Sequence, residues 1–242
     1  MRAIAANWPA PASVRALSTT RDGGVSQGPW CSLNLGESCG DDPEAVALNR
    51  KRLRQDLPSD PRWLQQVHGT RLIHLDQWRP GIQADAAWTD RPGQVCAILT
   101  ADCLPILLAE RHGELVAAIH GGWRGLAADI VAGVLRALPA ARSDLLAWIG
   151  PAIGPDHYEV DAPVRDALLA LDAKLSNCFE PSREDHWLAD LKAVAKQRLR
   201  ALGVDSVFDA KLCTAAETHH FFSHRRDRGI SGRQAGLIWI DS

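Results

Sequence analysis

Three side chains form a candidate reactive set: His68 in Gln66-Val67-His68-Gly69, Cys103 in Thr100-Ala101-Asp102-Cys103-Leu104-Pro105, and His120 in His120-Gly121-Gly122-Trp123-Arg124-Gly125. Imidazole and thiolate are the donors zinc favours, and a zinc site that does chemistry keeps three protein ligands and one open position. His68, Cys103 and His120 would make such a set. They lie far apart in the chain, so only a folded sheet could unite them. The residue types leave a second chemistry open, with Cys103 as a nucleophile and His120 as its base. Asp102 interrupts an apolar run, where an unpaired polar group costs roughly 2–7 kcal/mol. In a regular strand it faces away from Cys103, which predicts a supporting carboxylate rather than a ligand. His112-Gly113-Glu114 fits one half of a nucleoside-deaminase signature, but the P-C-x-x-C half is missing. An exposed turn is expected there.

The elements that must position this set can be read from apolar patterning. Thr100–Leu108 and Leu115–His120 flank the polar Arg111-His112-Gly113-Glu114 and predict a buried hairpin. Trp63–Thr70 and Arg71–Leu75 predict strand, break and strand, with His68 at the break and His74 an ordinary strand residue. Further strands are expected at 14–19, 84–89, 95–100, 145–149, 204–208 and 236–240, with β content concentrated in the first half. Asp41-Asp42-Pro43-Glu44 opens a peripheral helix to about Leu57, whose Val46, Asn49 and Leu53 share a face. Leu126, Ile130, Val134 and Leu138 predict one helix after Gly125, which would leave His120 and Arg124 at a helix N-terminus suited to an anion. Helices at about 162–171 and 188–202 follow. The Gly-rich segment 20–29 reads equally as a surface turn or as a ligand loop with Arg21 its only cation. Phe221–Asp227 reads as a charge cluster on a hydrophobic anchor or as a ligand loop.

At 242 residues and 46% hydrophobic the chain can bury a full core. One domain, residues 1–242, is expected. The net charge of −2 offers no basic face for nucleic acid. The N-terminus lacks the apolar core of a signal peptide, and no run reaches the roughly 18 apolar residues of a membrane span. A cytoplasmic protein is expected. The six cysteines are widely spaced with no CxxC pair, against a disulfide scaffold or zinc ribbon, and most are expected to be small buried apolar residues. No Walker or dinucleotide fingerprint is present.

The segments 20–26, 32–36, 66–69, 100–105, 120–125, 149–151 and 222–227, taken in order, resemble the YfiH family, formerly called polyphenol oxidases or laccases. The resemblance spans nearly the whole chain. It implies an α+β fold, a single compact layered α/β/β/α sandwich with mixed sheets, and a zinc held by His68, Cys103 and His120. It further implies phosphorolysis of purine nucleosides (adenosine, inosine, guanosine or methylthioadenosine) to free base and ribose 1-phosphate, with some deamination of adenosine. Small-molecule nucleoside and phosphate would be the partners, with neither nucleic acid nor membrane, the protein being a monomer or dimer. Arg21, Asn34, Arg124 and Arg225 are the expected substrate-binding residues. Two positions depart from the family pattern, which has Ala at Gly121 and Tyr at His224. Two rival activities remain: a Cys-His amide hydrolase or deamidase acting, for example, on peptidoglycan precursors, and copper-dependent polyphenol oxidation. None of the nine histidines forms the His-x-His pairs a four-copper centre requires, although copper outranks zinc in intrinsic affinity.

Overall fold

Side-chain parity along the central strands sorts the molecule into layers. In the computed structural model, which describes residues 2–241, β6 (Leu104–Glu110) and β7 (Val116–Gly121) form the predicted hairpin, paired Leu104 to Gly121 through Ala109 to Val116. Leu104, Ile106 and Leu108 of β6, with Ala117 and Ile119 of β7, face one core; Leu107, Ala109, Val116 and Ala118 face another. A strand that reads as a continuous apolar run is therefore buried on both faces.

The hairpin lies within a six-stranded sheet in the order β12 (Ser206–Asp209), β8 (Leu145–Ile149), β6, β7, β4 (Ala86–Thr89), β3 (Leu72–His74). Against its inner face packs a four-stranded sheet, β1 (Ala3–Ala5), β2 (Val14–Thr19), β13 (Gln234–Ile240), β5 (Cys96–Thr100), with Cys96, Ile98, Ile238 and Ile240 in the shared layer. The outer face of the six-stranded sheet carries α2 (Trp123–Ala127), α3 (Ile130–Ala137), α4 (Ala162–Leu171) and α5 (Leu191–Ala201), while α1 (Pro43–Arg54) covers the smaller sheet through Leu53 against Ala97 and Leu237. The result is the expected α/β/β/α single-domain sandwich. A short sheet of β10 (Phe179–Pro181), β11 (His186–Ala189) and β9 (Glu159–Asp161) lies beside the outer helices. Each fully buried Leu or Ile contributes about 1.5–3 kcal/mol, so β6, β7 and β8, buried at every position, are the firmest base available for a site.

Several local expectations need correction. Residues 63–70 form no strand, because the amides of Val67, His68 and Gly69 turn toward the Asp85 carboxylate instead of a neighbouring backbone, and His68 has φ 58°. The run 100–108 is broken: β5 ends in one sheet and β6 begins in the other, and Ala101-Asp102-Cys103 makes the crossing with Asp102 at φ 86°. The single helix expected after Gly125 is two, α2 and α3. Asp129, at φ 60°, ends the first; its side chain then caps the second at Ala132 N and pairs with Arg198. The four-residue apolar spacing survives because both helices pack on one sheet face. Leu188 belongs to β11 and not to the last helix. Strands are spread through both halves of the chain, and of the six free cysteines only Cys96 and Cys178 are buried. No helix of the described residues is long and apolar enough to cross a membrane.

Candidate metal centre

His120 sits near the end of β7, on the face that carries Val116 and Ala118 into the layer between the sheets. Cys103 ends the crossing between those sheets, and His68 lies on the loop held by Asp85. Three separated segments thus converge: one donor atom from each of His68, Cys103 and His120 lies within 4.8 Å of the others. Cys103 Sγ is 3.9 Å from His68 Nε2, and the two imidazoles meet edge to face at 4.7 Å between centroids. Gly122 makes the convergence possible. A Cβ there would stand 2.7 Å from His68 Cδ2 and 3.3 Å from Cys103 Sγ.

Asp85 organises the set. One residue beyond the Ala86–Ile119 pair of β4 and β7, His120 N donates to Asp85 O at 2.7 Å, and His120 Nδ1 donates to Asp85 Oδ1 at 2.8 Å. The same fully buried carboxylate accepts the amides of Val67, His68 and Gly69 at 3.2, 2.9 and 2.7 Å. Burial alone would raise the Asp85 carboxyl, but the hydrogen bonds from His120, Gly69 and Val67 hold it below its ordinary value. An ionised Asp85 accepts the hydrogen bond from His120 Nδ1, so Nε2 is the nitrogen turned toward Cys103 and the one a metal would take in place of a proton.

Burial also opposes a thiolate at Cys103, yet the charge of His120 and the hydrogen bonds from His120 and His68 lower the thiol to about 6. Burial likewise opposes a charged His120, and Cys103 together with Asp85 outweighs it, raising the imidazole to about 9. Two imidazoles, a readily ionised thiol and an oriented tautomer are what a zinc held by nitrogen and sulfur needs. The residues fit the metal.

The centre lines a cleft of about 1030 Å³. Among the expected substrate-binding residues, Arg124 and Arg225 also line it; Arg21 and Asn34 do not. Arg124 stacks over Trp123 at 4.4 Å, and its guanidinium makes no hydrogen bond or ion pair among the described residues. Arg225 donates Nη1 to Glu159 O at 2.7 Å, stacks over Tyr158 at 4.8 Å, and its amide is held by Asp102 Oδ2 at 2.7 Å. Asp102 also accepts from Thr214 Oγ1 at 2.7 Å, so it supports the site and is not a ligand, as the strand argument anticipated for a different reason. Arg21 instead donates to the carbonyls of Cys31 and Thr218 at 2.8 and 3.0 Å. Asn34 is wholly buried and hydrogen-bonded within its own turn. With α2 only five residues long, the cation for an anion there is Arg124 more than a helix dipole. His112 is exposed on its turn, and His74 pairs with Asp90. His224, where the family pattern has Tyr, is exposed into the cleft. A Cβ at Gly121 would press on Leu104 and Ile106 at 3.1 and 3.2 Å.

Asp85 and Tyr158 are absent from the residues the sequence singles out. Asp85 carried a signal, a lone carboxylate inside Ala84-Asp85-Ala86-Ala87, the same test that points to Asp102. Tyr158 carried none.

A sandwich fold with a His-Cys-His centre at the end of its inter-sheet layer defines the class. Over residues 15–241 the chain matches the family model described as multi-copper polyphenol oxidoreductase laccase, and it belongs to that family. A Shigella flexneri protein named purine nucleoside phosphorylase YfiH is 47% identical over 240 residues, covering 98% of each chain. A purine nucleoside phosphorylase of Pseudomonas aeruginosa is 47% identical over 235 residues, covering 97% of this chain and 96% of its own. The crystal structure of a Neisseria meningitidis protein of the DUF152 family superposes with a TM-score of 0.96 at 42% identity, covering 100% of both chains.

Proposed function

We propose that this protein is a zinc-dependent purine nucleoside phosphorylase. Its substrates would be adenosine, inosine, guanosine or methylthioadenosine, and adenosine would also undergo some deamination. The observation that carries the proposal is the convergence of His68, Cys103 and His120 within 4.8 Å in a cleft that also holds Arg124, whose guanidinium makes no hydrogen bond or ion pair among the described residues. The names of the full-length relatives support the same reaction.

His68, Cys103 and His120 would hold the zinc, which would supply Lewis acidity to the cleft at neutral pH. The chain's own groups do the rest. Asp85 holds the His120 proton on Nδ1 and fixes the ring. Arg124 neutralises phosphate as it approaches the anomeric carbon, and Arg225, held by Asp102, adds a second cation to the cleft. The bond from C1′ to the purine nitrogen breaks as a bond from C1′ to a phosphate oxygen forms, and the proton of the hydrogen phosphate ends on the released base.

The test is a chromatographic assay of zinc-loaded protein with adenosine and inosine, with and without phosphate. Phosphate-dependent release of base and ribose 1-phosphate, abolished in His120→Ala, is expected. Full-rate turnover by that variant would remove His120 from the mechanism. No turnover of either nucleoside would overturn the proposal. The lowered Cys103 thiol beside His120 is also what a Cys-His amide hydrolase would use. Amide cleavage by metal-free protein, blocked by alkylating Cys103, would move that reading to the front. Phenol oxidation that disappears on exchanging copper for zinc would mark the oxidase activity as adventitious.

A further inference from the structure

Among the cleft-lining arginines, two have their guanidinium groups occupied by the fold. Arg50 donates to Leu35 O and pairs with Glu37, and Arg233 donates to Ser231 and Gly232. Arg124 has no such partner, and Arg225 uses one nitrogen on Glu159 O. Tyr158 lines the same cleft, with Arg225 stacked over its ring at 4.8 Å. The charges of Cys103, Arg225, Asp102 and Arg124 all reach it.

Tyr158 is 9% exposed, lines the cleft, and its hydroxyl has no hydrogen-bond partner among the described residues. The ring is buried and the hydroxyl opens to the cleft, where a ligand oxygen can take the place of solvent as its partner. The fold fixes this side chain instead of letting it turn away. Tyr158 N donates to Pro155 O at 3.0 Å, Ala189 N donates to Tyr158 O at 2.9 Å, and Arg225 lies over the ring. Arg225 is itself tied to the residue before Cys103, through its amide on Asp102. The chain of contacts from Cys103 through Asp102 and Arg225 therefore ends on a tyrosine that lines the cleft.

We propose that the Tyr158 hydroxyl, with the guanidinium groups of Arg124 and Arg225, forms the binding subsite for the phosphate co-substrate beside the His68, Cys103, His120 centre. The subsite deepens the phosphorylase reading and rests on it for the identity of the anion. A tetrahedral dianion suits it: two planar cations supply charge and one hydroxyl supplies a donor. Burial first, and the charge of Cys103 next, push the tyrosine up to about 12, so the hydroxyl stays protonated and donates. Asp102 does not compete for the anion's place, since its two oxygens accept from Thr214 and from the Arg225 amide.

Tyr158→Phe keeps the ring beneath Arg225 and removes only the hydroxyl. Titration of zinc-loaded protein with inorganic phosphate in a calorimeter should show binding about 10-fold weaker in this variant, or about 1.4 kcal/mol. The KM for phosphate in the inosine assay should rise by a similar factor, while the KM for inosine changes less than twofold. Arg124→Gln should weaken phosphate at least as much. Phosphate affinity within twofold of wild type in Tyr158→Phe, or no phosphate binding by the wild-type protein, would overturn the subsite. Phosphate binding weakened by Tyr158→Phe in a protein that turns over no nucleoside would leave the subsite standing and sink the phosphorylase reading. Turnover with an unchanged KM for phosphate in Tyr158→Phe would do the reverse.

Discussion

Two buried polar networks lie in this molecule, and they differ in how completely they are satisfied. Around α1 and the Gly-rich loop, Asn49 Nδ2 donates to Ser26 Oγ, Ser32 O and Asn34 O at 2.9, 3.1 and 2.9 Å, and its Oδ1 accepts from Val25 N at 2.8 Å. Asn34 Oδ1 accepts from Gly36 N and Arg233 N, and Arg21 serves carbonyls and packs over Phe222. Gly24 lies so close to the Ser32 backbone that a Cβ there would be 2.0 Å from its carbonyl oxygen. In that network the protein's own groups fill the hydrogen-bonding capacity. At the His68, Cys103, His120 centre, support comes from behind, through Asp85, and the donor atoms face one another and the cleft. Residue type does not separate the two networks, since both hold an arginine and amide or imidazole groups. Saturation does: a network that closes on itself holds a loop, and one that leaves atoms aimed into a cleft is available to a ligand.

The contrast is sharpest where support from behind is cut. Asp85→Asn preserves shape while weakening the hold on His120, and should lower zinc affinity by about 10–100-fold. Competition with a chromophoric chelator measures it, and unchanged affinity in a folded variant would break the claim that Asp85 orients the centre. The closed network should respond in the opposite way. Asn49→Ala leaves several buried groups unpaired and should cost about 2 kcal/mol in urea denaturation, with zinc affinity within twofold of wild type. A large loss of zinc binding would show the two networks to be coupled.

A smaller effect concerns the thiol. The Cys103 pKa is lowered, so its charged form persists to lower pH and is lost as pH falls through about 6. Alkylation of Cys103 in metal-free protein, followed by mass spectrometry, should rise about 10-fold between pH 5 and 7. A midpoint near the ordinary value of 9.0 would mean that the imidazoles leave the thiol unperturbed.

Much of the sandwich was legible because periodicity reports burial. The hairpin, the α1 face of Val46, Asn49 and Leu53, and the strands at 14–19 and 145–149 all follow from it. The failures fall where one residue changes the backbone's direction. His68, Asp102 and Asp129 all have positive φ, and each converts a continuous pattern into a turn. Asp and His tolerate that conformation without announcing it as glycine does. Arg21 and Asn34 were drawn into the expected substrate set by their place in family-like segments, and spacing along the chain does not reveal that their polar atoms are already bonded.

The sequence alone determined which residue types could bind a metal and which runs must be buried, because these depend on side-chain chemistry and on periods of two and 3.6 residues; the layered sandwich came from the family resemblance. Only the tertiary structure decided that His68, Cys103 and His120 meet, that Asp85 stands behind them, and that the Tyr158 hydroxyl and the Arg124 guanidinium have no hydrogen-bond partner among the described residues in the same cleft. Those facts rest on the chain crossing from one sheet to the other at residues 101–103 and on contacts between segments tens of residues apart, and a local pattern carries no information about which distant groups will satisfy it.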